Sequence, residues 1–294
     1  MPQSRYRRSF GDRAEGRLIR SLTPYNKLAP FFMKKRSTAS NYFSDSFEIS
    51  HAERFLRRKR AEELPGIGIL HLFIAAYVRT VAMRPALNRF ISGQRVYSRH
   101  LIDVVVTARR SRQPEATETS IKMQFDPTDT IYDVYRRMNE KFDAVKADGG
   151  TSGTESAAAA LLKFPRLILR FVIGTLKFLD YFGRLPRSFM ETSPFHGSML
   201  ITDLGATFSS PMYHHLYDFG NLPLSLSFGI RRRSMEFSKE GAPVENRCMD
   251  YKLVFDGRIC DGYYCTSALK LFKHFLQNPE LLEQPPDNVY EDIF

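Results

Sequence analysis

Cysteine is scarce in this chain of 294 residues, with three in all, Cys248, Cys260 and Cys265. That is too few for a disulfide framework at this length, and it fits a reducing compartment. No uncharged apolar run approaches the ~18 residues that a membrane-spanning helix needs. Scattered arginines near the start (Arg5, Arg7, Arg8, Arg13, Arg17, Arg20) have no apolar core behind them, so no secretory signal is expected. Asp12 and Glu15 among them favour a flexible basic arm over residues 1–24 rather than an organelle transit peptide. No internal repeat stands out. The adjacent pair His214-His215 lacks the spacing that puts two ligands on one side, so no metal site is expected. The protein is expected to be cytoplasmic.

What is present is a globular composition, with 43% hydrophobic and 26% charged residues. The formal charge of +11 favours anionic partners: nucleic acid, an acidic membrane surface or a phosphorylated cofactor. The positive charge is spread, and no aromatic-plus-basic motif accompanies it, so nucleic acid is not expected.

Residues 41–49 alternate apolar and polar and read as a strand. Ser50 and Glu53 form a capping-box signature before a helix over 51–63. Residues 69–84 are apolar on most faces and read as a core helix stopped by Pro85. Strands are expected over 94–98, 101–109 and 120–126, then a helix from Asp129 to about residue 146, then a polar loop over 147–157. Further strands follow at 198–203 and 222–230, a strand pair at 233–238 and 247–256 turning near 240–244, and a helix over 262–277. Helices and strands do not alternate regularly, which predicts an α+β or mixed α/β fold with a mixed sheet in one domain.

The most informative segment runs from Tyr251 to Leu282. A strand enters a turn holding Asp256, Gly257, Arg258, Cys260, Asp261 and Gly262, and a helix starts directly behind it. Arg258 can pair with either carboxylate, and Gly262 permits close backbone approach. This segment resembles the C-terminal signature of the 2-oxo-acid dehydrogenase acyltransferase family, and more distantly that of chloramphenicol acetyltransferase. The signature is a strand, D-H-R-x-x-D-G, and a helix ending in N-P-E-x-L; here the last element is Asn278-Pro279-Glu280-Leu281-Leu282. Every fixed position matches except one, because Gly257 stands where the family places histidine. The core helix followed by Pro85-Ala86-Leu87-Asn88 resembles the family's helix and P-x-L-N turn. The stretch from Gly197 to Gly205 resembles its G-x-x-x-I-S-x-L-G strand. The similarity spans about residues 25–282, with an acidic tail over 283–294, and no lipoyl or subunit-binding module is apparent ahead of it.

The resemblance implies a chloramphenicol acetyltransferase-like sandwich, a homotrimer with sites between subunits, and acyl transfer between coenzyme A and a dihydrolipoyl thiol or a hydroxyl. Such transfer needs a base for the acceptor's proton and a donor for the tetrahedral oxyanion. The donor maps to Thr202, which keeps the hydroxyl. Asp261 is retained where the family braces the site through an arginine. The base is absent at Gly257, and His196 and His215 are the candidate substitutes. Cys260 and Cys265 are weaker nucleophile candidates, with no histidine near them in sequence. A second reading keeps the fold and trimer as a non-catalytic binding or scaffold protein.

Residues 158–185 hold a basic apolar segment unlike the rest. At about 100° per residue, Lys163, Arg166, Arg170 and Lys177 share one narrow stripe, while leucine, isoleucine and phenylalanine cover most of the remaining circumference. This is the pattern of an interfacial helix at an anionic membrane surface, or of a helix covered by the core and a neighbouring subunit.

Overall fold

The computed structural model describes residues 9–109, 118–147, 162–237 and 241–293. The chain enters through a short strand, β1 (Gly16–Leu18), and a helix with proline in its first turn, α1 (Pro24–Phe32). β1 joins β3 (Arg89–Ser92) and β4 (Arg95–Arg99) in a three-stranded antiparallel sheet of order β1-β4-β3. Within the stretch expected as an arm over residues 1–24, Asp12, Arg17 and Ile19 are buried in or beside this sheet. The acidic tail is docked as well. Asp292 accepts two hydrogen bonds from Arg89, at 2.6 and 2.7 Å, and the Tyr290 N–H donates to the Ala82 carbonyl.

β2 (Ser40–Glu48) begins the main sheet, followed by α2 (Ser50–Glu62) and α3 (Ile69–Met83). The predicted capping box does not form. Ile49 caps α2 without a side-chain bond, because its N–H continues the strand ladder to Arg247 O while Arg231 and Arg247 draw Glu53 outward. α3 ends one residue before Arg84, as the following Pro85 requires. β5 (Ile102–Arg109), β6 (Glu118–Phe125) and α4 (Ile131–Ala147) come next. The helix α5 (Arg166–Phe182) and a short helix α6 (Arg187–Thr192) precede β7 (Met199–Asp203). The expected strands at 222–230 and 233–238 are one 14-residue strand, β8 (Leu224–Phe237), with an irregularity between Phe228 and Arg231. β9 (Pro243–Asp256) and α7 (Gly262–Gln277) complete the fold.

The six-stranded sheet has the order β2-β9-β8-β7-β5-β6, with β5, β7 and β8 parallel and the remaining pairs antiparallel. This is the expected mixed sheet. One face is apolar and packs under α2, α3, α4 and α7 in a single core, where Phe73 of α3 stacks on Phe228 of β8 at 4.3 Å. The other face carries the alternate positions. Ser120, Thr107, Thr202, Ser227, Lys252 and Ser44 lie in one register row across all six strands. A strand's period of two therefore sorts the sheet into a dry face and a hydroxyl-rich one.

Candidate functional site

The turn after β9 is held by buried charge. Asp256 is 1% exposed and accepts two hydrogen bonds from the Arg258 guanidinium, from Nε at 2.8 Å and Nη2 at 2.6 Å. Arg258 Nη1 donates to the Met33 carbonyl at 2.7 Å, tying the turn to the end of α1. Arg36, itself buried, has Nε 3.9 Å from Asp256 and donates through Nη1 and Nη2 to the carbonyls of Tyr217 and Gly220. Burial draws the Arg36 guanidinium down to about 10, so it stays charged at neutral pH. Of the two carboxylates open to Arg258, the structure selects Asp256.

Asp261 does something else. It is exposed and caps α7, its Oδ1 accepting from the Tyr264 N–H at 2.7 Å. Among the described residues it pairs with no arginine. Gly257 donates its N–H to the Ala39 carbonyl at 2.8 Å, and a Cβ built there would lie 2.5 Å from Asn41 Nδ2. The space where a longer side chain would begin is thus occupied by an asparagine amide. Cys260 and Cys265 are both buried, and their mutual hydrogen bond together with burial pushes the Cys260 thiol far up. A neutral, enclosed thiol is a poor nucleophile.

Thr202 lies about five register rows farther along the sheet. It is half-buried on the hydroxyl-rich face of β7, between Thr107 and Ser227 in register. Ser227 Oγ donates to the Met212 carbonyl, which brings the loop over residues 208–222 across this face. Tyr213 of that loop packs edge-on against Tyr42 at 5.4 Å, and Lys252 Nζ sits 4.8 Å from its ring centroid. The exposed His215 belongs to this loop, with its ring 4.7 Å from that of Tyr217. So the structure places His215 on the loop that crosses beside Thr202.

His196 is not brought there. It precedes β7 and is buried, with Nδ1 2.8 Å from Ser193 Oγ and Nε2 3.6 Å from Asp180 Oδ1. Phe189 and Phe219 flank its ring. It borders a polar cleft of about 450 Å³ with Arg99, Asp103, Lys122, Glu15 and Asn221. Burial pulls both the Arg99 guanidinium and the Lys122 ammonium below their ordinary values. Among the described residues no group of three or more His, Cys, Asp or Glu is placed to hold a metal.

Ser227, Lys252 and Asn41 are the polar groups that sequence reasoning passed over. A signal was present for the first two. In LSLSF and YKLVF the polar residues sit at the alternate positions of a strand, and those positions face away from the core.

Just past the end of β9, Gly257 is five residues beyond Lys252, the register partner of Ser227, and β7, which carries Thr202, is two strand steps from β9 with β8 between them. At strand spacing this puts Thr202 and Gly257 roughly 15–20 Å apart. Within one chain the two halves of the expected site do not meet.

No family model matches the chain, and no curated protein matches it in sequence. Solved structures do. A probable dihydrolipoamide acetyltransferase from Listeria monocytogenes is 12% identical and aligns over 92% of this chain and 99% of its own, with a TM-score of 0.55. The dihydrolipoamide acetyltransferase of Azotobacter vinelandii is 13% identical over 88% of each chain, with a TM-score of 0.52. A chloramphenicol acetyltransferase is 14% identical over 86% of this chain and 92% of its own, with a TM-score of 0.50. The chain therefore has the fold shared by the catalytic cores of 2-oxo-acid dehydrogenase acyltransferases and chloramphenicol acetyltransferase.

Proposed function

We propose that this protein is a cytoplasmic homotrimer that binds acyl-coenzyme A between its subunits, with acyl transfer held back by the missing base at position 257. The observation that carries this reading is the separation of the two site halves. Thr202 and Gly257 stand five residues along the strands and two strand steps across the sheet from each other, so a single copy does not present both to one acyl group, whereas two neighbouring copies can bring one of each together. Thr202 Oγ1 then serves as hydroxyl donor to the oxyanion that forms when an acceptor thiol or hydroxyl attacks the thioester carbonyl. Collapse of that intermediate breaks the bond to sulfur and releases coenzyme A. The acceptor's proton has no histidine to receive it at Gly257, a loss worth about 10²–10⁴-fold in rate.

The second reading is a trimeric scaffold that binds without turning over, and one observation favours it. The Asn41 amide fills the space beside Gly257, as though the site had closed over the lost side chain. Light scattering at micromolar concentration, with titration of acetyl-coenzyme A by calorimetry, tests the shared-site reading. A trimer that binds the ligand is expected, with binding weakened by Thr202→Val. A stable monomer, or a trimer blind to the ligand, would remove it. A trimer that binds without turnover leaves the scaffold.

A further inference from the structure

Helix α5 is the one long helix described here that buries none of its residues. Its half-buried positions, Leu169, Val172, Ile173, Leu176, Leu179 and Asp180, recur at three- and four-residue spacing and mark the side turned toward the body. Among the described residues, its hydrogen bonds to the body gather at the C-terminal end. Ser92 Oγ donates to the Asp180 carbonyl, Arg13 donates to the Tyr181 carbonyl, and the Tyr181 hydroxyl bonds Gln94. Gly183 at φ 65 closes the helix, with the Gly183 and Arg184 N–H groups bonded back to Asp180 and Leu179.

The opposite side is greasy and open. Leu167 is 81% exposed, Phe171 75% and Phe178 63%, with Ile168 and Phe182 beside them. At about 100° per residue these five fall in one arc of roughly 100°, centred well away from the body-facing side. Arg166, Arg170 and Lys177 form the flanking stripe, with Lys163 just ahead of the helix. Asp180 is the only acidic residue from 162 to 182, and its carboxylate is turned to His196. Exposed Arg184 and Arg187 extend the basic edge. A bulky apolar arc pointing outward, edged by cations alone, matches an anionic lipid surface: the arc enters the acyl boundary and the stripe lies among the headgroups. A second copy of the same face would add the same cations and no carboxylate to meet them. Among the described residues no helix is long and apolar enough to cross a membrane.

We propose that α5 is an amphipathic foot that seats this protein on an anionic lipid bilayer, lying in the surface with the rest of the molecule above it. This stands independently of the acyl-coenzyme A reading, and neither falls with the other.

The full chain should pellet at low salt with vesicles of phosphatidylcholine containing about a third phosphatidylserine, and not with phosphatidylcholine alone. Joint replacement of Lys163, Arg166, Arg170 and Lys177 by glutamine should weaken partitioning at least about 10²-fold, and raised salt should do the same to the wild type. Since the chain has no tryptophan, Phe171→Trp supplies a single reporter whose emission should shift to the blue with anionic vesicles. Circular dichroism confirms that each variant keeps its helix content. An unshifted emission with no pelleting overturns the proposal, and so does a glutamine variant that binds as tightly as the wild type. A wild type that ignores vesicles while Phe171→Ser changes the mass in solution makes this face an interface between copies instead.

Discussion

The turn at residues 256–262 and helix α5 are opposites in construction. In the turn two charged side chains are almost wholly enclosed and answer each other with two hydrogen bonds, a third bond reaching back to α1. In α5 large apolar side chains stand in the open and, among the described residues, the hydrogen bonds to the body gather at one end. The turn is explained by folding alone: it needs both Asp256 and Arg258, because neither charge tolerates burial without the other. Folding explains little of α5, since an exposed phenylalanine arc adds nothing to a monomer. Buried charged residues of a turn can thus be accounted for by stability, and a surface can exist for something outside the fold.

That contrast can be broken by measurement. Asp256→Ala leaves Arg258 and Arg36 enclosed without their carboxylate, and should cost about 3–5 kcal/mol in urea unfolding. A loss below about 1 kcal/mol would mean that the turn is loosely held after all. The enclosed half should also be the half that acid loosens. His71 of α3 accepts a hydrogen bond from the Gly68 N–H on Nδ1, and burial lowers its imidazole to about 4. The unfolded chain takes up a proton there near pH 6.5 while the folded chain resists, so stability should fall as pH drops from about 6.5 toward 4. The slope contributed by this one group approaches 1.4 kcal/mol per unit, and unfolding midpoints of His71→Gln should depend on pH more weakly. Asp261→Ala removes only a helix cap and should cost about 1 kcal/mol, with binding of acetyl-coenzyme A unchanged. Altered binding would restore Asp261 to the site. Smallest of all, replacing the four cations at the α5 stripe by glutamine should move stability by less than about 0.5 kcal/mol. A larger loss would turn α5 into a packing element.

Much of this was legible in the chain. β2, β9 and α7 show themselves by period, two for the strands and near 3.6 for the helix, α3 by an apolar run on most faces that Pro85 stops, and the signature turn stands between β9 and α7. β8 was misread because Arg231, Arg232 and Arg233 look like a break. Glu53 of α2 and Asp250 and Glu245 of β9 pair with them and let the strand run on. β1 is three residues long and carries no period at all. For the site, sequence proposes Thr202 and position 257. It could not assign the partner of Arg258, the capping role of Asp261 or the presence of Asn41, since these depend on how turns fold back on distant segments. His196 and His215 looked equivalent in sequence; burial of His196 beside Ser193 and Asp180, and the Ser227–Met212 bond that carries the His215 loop over the sheet, separate them.

The account rests most on position 257. Acetyl transfer from acetyl-coenzyme A to dihydrolipoamide should rise about 10²-fold over wild type in Gly257→His combined with Asn41→Gly, which clears the space a Cβ requires. Thr202→Val in that background should remove the gain. A wild type that already turns over briskly, and loses that activity on His215→Ala or His196→Ala, would show that the base has moved rather than vanished.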